Sequence, residues 1–215
     1  MAFNNLKPID LNKIVIVDFP EDQYIKEEVE KKQIVGHHTV GATAKSSINT
    51  WLANPDRVGT CIVIERDGTP YQIFSSKYWA YHLKCGNPEL DKHSIGVELA
   101  NWGWLTLING KFYNYYNDIV KCEVQYYEIP YGDHRYYEKY SDAQINTYGE
   151  LLLLWNQKYN IPLTYNTDMW EVNERALSGT PGVWTHVSFR PKSQKTDLHP
   201  QPELITMLKT LSSIL

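Results

Sequence analysis

Three separated segments of the 215-residue chain carry side chains able to bind a metal or move protons. His37-His38-Thr39 closes an apolar run, Ser94-Ile95-Gly96-Val97-Glu98-Leu99 lies mid-chain, and His186 precedes Lys195-Thr196-Asp197 by one loop. A catalytic first-row divalent ion takes about three neutral or anionic protein ligands and keeps one position open for water. Two histidines and an aspartate satisfy that count. A glutamate and a lysine are then left to transfer protons and to hold negative charge.

Each of these residues also has an ordinary reading. Neighbours on a strand point to opposite faces, so only one of His37 and His38 can enter a given site, and alternation does not choose between them. Glu98 sits in an otherwise apolar strand, where burial without a partner is costly. It therefore either faces solvent or lines a site, and beside an activated water it could act as general base and return the proton to a leaving amine. Asp197, with Pro200 and Pro202 close behind, could be a solvated or helix-capping residue. Lys195 could be a surface charge, or could hold the oxyanion formed when a carbonyl is attacked. His93 and His134 read as surface residues, and His199 as a rim residue or a second-layer partner of a metal ligand.

These residues need strands and helices to position them. Ile14–Val17 is a short β-type run, and Glu21–Lys32 reads as charged surface. Ile34–His38 is a buried strand whose end delivers the histidines. Ser46–Ala53 places Ile48, Trp51 and Leu52 at helical spacing. Asp67-Gly68 between Cys61–Arg66 and Tyr71–Phe74 is a hairpin signal, and Ile95–Ala100 is a further strand. Residues 102–140 form the least regular stretch, an insertion with a hairpin near Asn109-Gly110. Ser141-Asp142-Ala143-Gln144 has the form of a capping box. Behind it Ile145, Tyr148, Leu152, Trp155 and Tyr159 mark one face of a long helix. Gly182–His186 is a strand leading into a loop, and Pro202–Leu211 is a closing helix with Leu204, Met207, Leu208 and Leu211 inward. Interleaved strands and helices without linkers or repeats predict one α/β domain on a mixed sheet.

Composition narrows the function classes. A net charge of −4 offers no general attraction to nucleic acid. Cys61, Cys85 and Cys122 form no CxxC pair and read as reduced thiols. The first residues hold no apolar core of signal-peptide length, and no stretch approaches a membrane span, so synthesis in the cytoplasm is expected. Nine tyrosines fall between Tyr113 and Tyr140. They predict either half-exposed β-sheet faces or a surface on which sugar rings stack. A His-Glu-x-x-His helix is missing, which disfavours one common class of metallopeptidase.

In this order the three segments resemble the zinc-dependent N-acetylmuramoyl-L-alanine amidases, a family that includes phage endolysins, muropeptide amidases and peptidoglycan recognition proteins. The similarity runs from about Val35 to Pro200. His37-His38-Thr39 is similar to the family's His-x-Ser/Thr strand end, Ser94–Asn101 to its Ser-Ile-Gly-Ile-Glu-Leu segment, and Ala80-Tyr81-His82 to an Ala-Trp-His groove motif, with Tyr81 in place of Trp. The His186–Asp197 loop is slightly long, and Leu198-His199 stands where Pro-Gly is common. The resemblance implies Zn²⁺ on His37, His186 and Asp197, catalytic roles for Glu98 and Lys195, and substrate contacts from Tyr81 and His82. It implies a single amidase domain over 1–215, with a central mixed sheet flanked by helices and an aromatic-rich insertion at about 102–140. The expected activity is cleavage of the amide between N-acetylmuramic acid and L-alanine of peptidoglycan or a muropeptide. An endolysin-type monomer that reaches the wall after release at lysis is the leading context. A cytoplasmic muropeptide-recycling amidase and a non-catalytic peptidoglycan-binding module are the alternatives.

Overall fold

The apolar runs assemble into a six-stranded mixed sheet with the histidine-bearing strand deep inside it. The computed structural model describes Phe3 and residues 5–214, so both ends of the expected 1–215 domain lie outside the described residues. In chain order the first half contributes β1 (Val15–Ile16), β2 (Gln33–His38), α1 (Ala44–Leu52), β3 (Ile62–Ile64), β4 (Pro70–Gln72), α2 (Pro88–Lys92) and β5 (Ser94–Leu99). The segment from 104 to 138 holds β6 (Trp104–Ile108), β7 (Lys111–Tyr113), β8 (Ile119–Val120), β9 (Val124–Tyr131) and β10 (His134–Glu138). The rest forms α3 (Asp142–Tyr159), α4 (Glu174–Leu177), β11 (Gly182–Thr185) and α5 (Pro202–Ile214).

The main sheet has the order β1-β4-β3-β5-β2-β11. Strands β3, β5, β2 and β11 run parallel, while β3 and β4 form the antiparallel hairpin expected at Asp67-Gly68. Gly68 takes φ +88°, the left-handed conformation that the turn requires. Strand β2 is buried along its whole length, as a central parallel strand covered on both faces should be. Helix α3 begins at the expected capping box, where the Ser141 hydroxyl accepts from Gln144 N–H at 3.0 Å and the Gln144 carboxamide accepts from Ser141 N–H at 3.1 Å. Its inward residues Ile145, Tyr148, Leu152 and Trp155 are buried, and it packs on α5 and β3.

Two expectations need correction. Residues 102–140 are not irregular: they form a second, five-stranded antiparallel sheet of order β8-β7-β6-β10-β9. Its β6–β7 turn is the expected Asn109-Gly110 hairpin, with both residues at positive φ. The strands are short and mostly half-exposed, so the hydrophobic alternation that would reveal them is weak. Lys31, placed with the charged surface, is buried because its ammonium donates to the carbonyls of Lys92 at 2.7 Å and Ser94 at 3.2 Å.

Gly36 shows how tightly β2 is held. A Cβ there would stand 2.5 Å from Leu198 Cδ1 and 2.9 Å from the Tyr148 hydroxyl, so helix α3 and the loop after Asp197 close directly onto the strand. Gly36→Ala is expected to destabilise the protein by about 1–3 kcal/mol through overpacking. In a chain of this size that lowers Tm by about 2–4 °C per kcal/mol. An unchanged thermal unfolding curve would contradict this packing.

Candidate functional site

The carboxyl ends of the parallel strands converge on one cleft, the usual place for a site in such a sheet. His37 is the fifth residue of β2 and lies directly opposite Glu98 of β5. Strand β11 on the other side of β2 runs straight into the 3₁₀ turn His186–Ser188. The following loop turns back where Gln194 and Lys195 N–H donate to the Pro191 carbonyl, and Val187 N–H then holds the Asp197 carbonyl at 3.2 Å.

Three buried side chains meet there. His37 Nδ1 and His186 Nδ1 are 2.9 Å apart, and Asp197 Oδ2 lies 3.1 Å from the first and 2.9 Å from the second. A tetrahedral ion with bonds of about 2.0–2.1 Å would separate its ligands by roughly 3.3–3.4 Å. The three atoms are therefore within about half an ångström of a metal-binding triangle, and two imidazoles with one carboxylate form a donor set suited to zinc. The far ring nitrogens are held too: His37 Nε2 lies 2.9 Å from His82 Nδ1, and His186 Nε2–H donates to the Leu83 carbonyl at 2.8 Å.

The electrostatics suit the same use. Burial, reinforced by His186, pushes His37 down to about 4, so its ring is neutral and its lone pair free near neutral pH. Burial opposes the charge on Asp197, yet His186 and His37 hold its carboxyl well below the usual carboxylate range. Glu98 goes the other way. Burial first, and then the charge of Asp197, raise it to about 8 against the opposing pull of Lys195. Its Oε2 is buried without a hydrogen-bond partner. Glu98 and Lys195 line a cleft of about 510 Å³ together with the three-residue cluster. Trp51, Trp104, Tyr115 and Tyr116 form the aromatic part of its wall.

The other expected residues are placed as follows. His38 points to the opposite side of β2, where Tyr140 Oη lies 2.9 Å from its Nδ1. His82 borders the cleft, with His37 and Ser94 at its two ring nitrogens. Tyr81 is exposed, packs edge-on against Trp79, and is not among the described residues that line the cleft. His93 bonds to the Glu30 carbonyl, and His134 stacks on Trp104 at 4.0 Å. His199 is fully buried, with Nε2–H donating to the Glu138 carbonyl and Nδ1 facing Tyr127 Oη, and does not lie on the rim. Sequence reasoning missed Ser94, the Leu83 carbonyl and Asp91, which hold the histidines from behind. A serine two and four residues ahead of a glycine and a glutamate, all on one face of a strand, was the available signal.

A histidine-and-carboxylate cluster at the carboxyl edge of a parallel sheet, open to a cleft, defines a hydrolase-type site able to hold a metal ion. The sequence matches the profile of N-acetylmuramoyl-L-alanine amidase over residues 28–201. The chain belongs to that family and is an amidase acting on peptidoglycan. No curated protein matches the sequence. Among solved structures, PlyL is 16% identical with TM-score 0.53 over 91% of this chain and 96% of that chain. The Staphylococcus aureus hydrolase AmiA, solved with its ligand, is 17% identical with TM-score 0.52 over 98% and 87%. A selenomethionine derivative of AmpD is 17% identical with TM-score 0.53 over 94% and 98%. Identities this low establish a shared fold.

The unpartnered carboxyl has a measurable cost in the metal-free protein. Glu98 titrates near 8 when folded, against an ordinary value of 4.5, so the folded state holds an extra proton between these values. Stability contributed by this group is therefore lost as pH rises from about 4.5 to 8, and no more is lost above that. Glu98→Gln does not titrate, so its stability advantage over the native protein is expected to grow across that window, by about 5 kcal/mol at most, and then to level off. Denaturant unfolding of both proteins at several pH values checks this. A difference independent of pH would remove the perturbed carboxyl from the account.

Proposed function

We propose that this chain is a zinc-dependent N-acetylmuramoyl-L-alanine amidase of the endolysin type, working as a monomer through one catalytic domain. The reading rests on one observation: two imidazole nitrogens and a carboxylate oxygen converge to 2.9–3.1 Å beside an acid with no partner of its own. A module that only bound peptidoglycan would gain nothing from an acid held beside the cluster with its Oε2 unpartnered.

Bound zinc supplies a Lewis acid for the scissile carbonyl and a water of lowered pKa. His37 and His186 contribute neutral nitrogen ligands, and Asp197 contributes the anionic one. Glu98 accepts the proton of the attacking water at its carboxylate and hands it to the nitrogen of L-alanine as the amide breaks. With a cation held by His37, His186 and Asp197, the Glu98 carboxyl would ionise more readily and would serve as the base. The Lys195 ammonium steadies the negative charge that develops on the carbonyl oxygen.

The second sheet extends the cleft toward a polymer. Tyr115 and Tyr116 are exposed on its wall, and Trp104 is half-buried beside them. Flat ring faces cover the apolar faces of sugars, and binding along a glycan strand serves a wall-degrading enzyme more than one acting on small soluble fragments.

Removing the metal with a chelator is expected to abolish cleavage, and zinc to restore it. His37→Ala, His186→Ala and Asp197→Ala should each lose bound metal. Glu98→Ala and Lys195→Ala should keep it while turnover falls on the order of 10²–10⁴-fold. Metal analysis alongside mass analysis of digested peptidoglycan reads both outcomes and the bond cut. A ligand variant with full activity, or a Glu98→Ala protein without zinc, contradicts the assigned role.

Tyr115→Ala with Tyr116→Ala should weaken binding to intact walls more than hydrolysis of a soluble muropeptide, with Tm nearly unchanged. Parallel losses of both activities with a large fall in Tm would show that these rings serve packing instead.

A further inference from the structure

One hydrogen-bond chain behind the cluster has a direction that its geometry determines. The Ser94 hydroxyl lies 2.6 Å from the Leu90 carbonyl and 3.3 Å from that of Asp91. A carbonyl oxygen only accepts, so a contact of 2.6 Å places the single hydroxyl hydrogen on that side. Toward His82 Nε2, 2.8 Å away, Ser94 Oγ can offer only a lone pair. His82 Nε2 must then carry the ring hydrogen, which leaves Nδ1 bare to accept from His37 Nε2–H at 2.9 Å. A neutral imidazole has one hydrogen, so His37 Nδ1 is bare as well, and that is the atom facing His186 and Asp197.

We propose that Ser94 and His82 are positioning residues that select the tautomer of His37 and so aim its Nδ1 lone pair at the metal. The inference rests on the metal reading of the site given above. With the chain reversed, two oxygens 2.6 Å apart would face each other through lone pairs, and His37 Nδ1 would carry a hydrogen where a ligand is needed. The relay is also built into the backbone. His82 and Leu83 are consecutive, and both their amides donate to Oδ1 of buried Asp91 at 2.8 Å. One short segment therefore orients both histidines, His37 through a side chain and His186 through the Leu83 carbonyl. A Cβ on Gly96 would approach the His82 ring to 3.0 Å, so the glycine leaves room for that ring against β5. Ser94, Gly96 and Glu98 alternate onto one face of the strand, and each serves the same cleft.

The test needs no peptidoglycan. Long-range ¹H–¹⁵N correlation spectra of the metal-free native protein should show His37 and His82 both protonated at Nε2. Ser94→Ala should let His37 populate both tautomers and weaken zinc binding about 10–100-fold in chelator competition. His82→Phe keeps a ring but offers no acceptor and should weaken zinc likewise. In His82→Gln the carboxamide oxygen accepts from His37 and its NH₂ donates to Ser94, so affinity should stay within a few-fold of native. A purely structural role for His82 predicts instead that Gln and Phe weaken zinc equally. A native His37 protonated at Nδ1, or native zinc affinity in both Ser94→Ala and His82→Phe, overturns the proposal. If His82→Phe does not fold, Ser94→Ala and the native spectrum decide it. Zinc uptake by the native protein tests the metal reading separately: its absence overturns that reading, while the tautomer spectrum still decides the relay.

Discussion

Strand β2 is hydrogen-bonded in parallel to β5 on one side and to β11 on the other, and every part of the cleft hangs from that pairing. The register sets His37 against Glu98, and Thr185 against Gly36, so the turn carrying His186 emerges beside His37. A slip of one residue would turn His37 to the far side of the sheet, against helix α3. Gly36 makes the register hard to change, because Leu198 and Tyr148 fill the space where any larger side chain would go.

Burial at this junction does opposite things to its groups. It keeps His37 neutral with its lone pair free, and it raises Glu98 to about 8, so that the carboxyl is mostly protonated near neutral pH in the metal-free protein. Asp197 stays ionised because two histidines face it at hydrogen-bond distance. Among the described residues no acid forms an ion pair with Lys195, so its charge is not spent within the protein. The stability lost at Glu98 is the kind of local cost that functional sites carry and the surrounding core absorbs.

The second sheet is tied to the site through buried polar contacts. Tyr131 Oη of β9 donates to the Leu198 carbonyl at 3.0 Å, and Tyr127 Oη of the same strand lies 2.8 Å from His199 Nδ1. Both partners follow Asp197 directly, so the aromatic sheet holds the loop that carries the third member of the cluster. Arg66 adds a two-pronged ion pair to Glu138 at 2.8 and 2.9 Å, linking the main hairpin to β10. The tyrosines thus divide by position. Tyr131, Tyr137 and Tyr140 are packing residues, and Tyr115 and Tyr116 remain exposed at the cleft.

Local signals made much of this legible in the sequence. Asp67-Gly68 and Asn109-Gly110 require left-handed backbone, Ser141 and Gln144 cap each other across one turn, and the apolar run into His37 has to be a buried strand. The ordered segments around His37, Glu98, His186 and Asp197 identified the family for the same reason, since each is a short contiguous pattern. The second sheet was legible only in part: the tyrosine run and Asn109-Gly110 pointed to half-exposed β faces and a hairpin, but strands without clean alternation concealed its five-stranded order. What the tertiary structure alone decided is how groups far apart in the chain meet. It committed both nitrogens of His82 to protein partners and left Glu98 without one. His37 touches partners 45 and 160 residues away. Propensity and periodicity act over a few residues, whereas a ring's tautomer and a carboxyl's pKa are set by whatever strand pairing brings within a few ångströms.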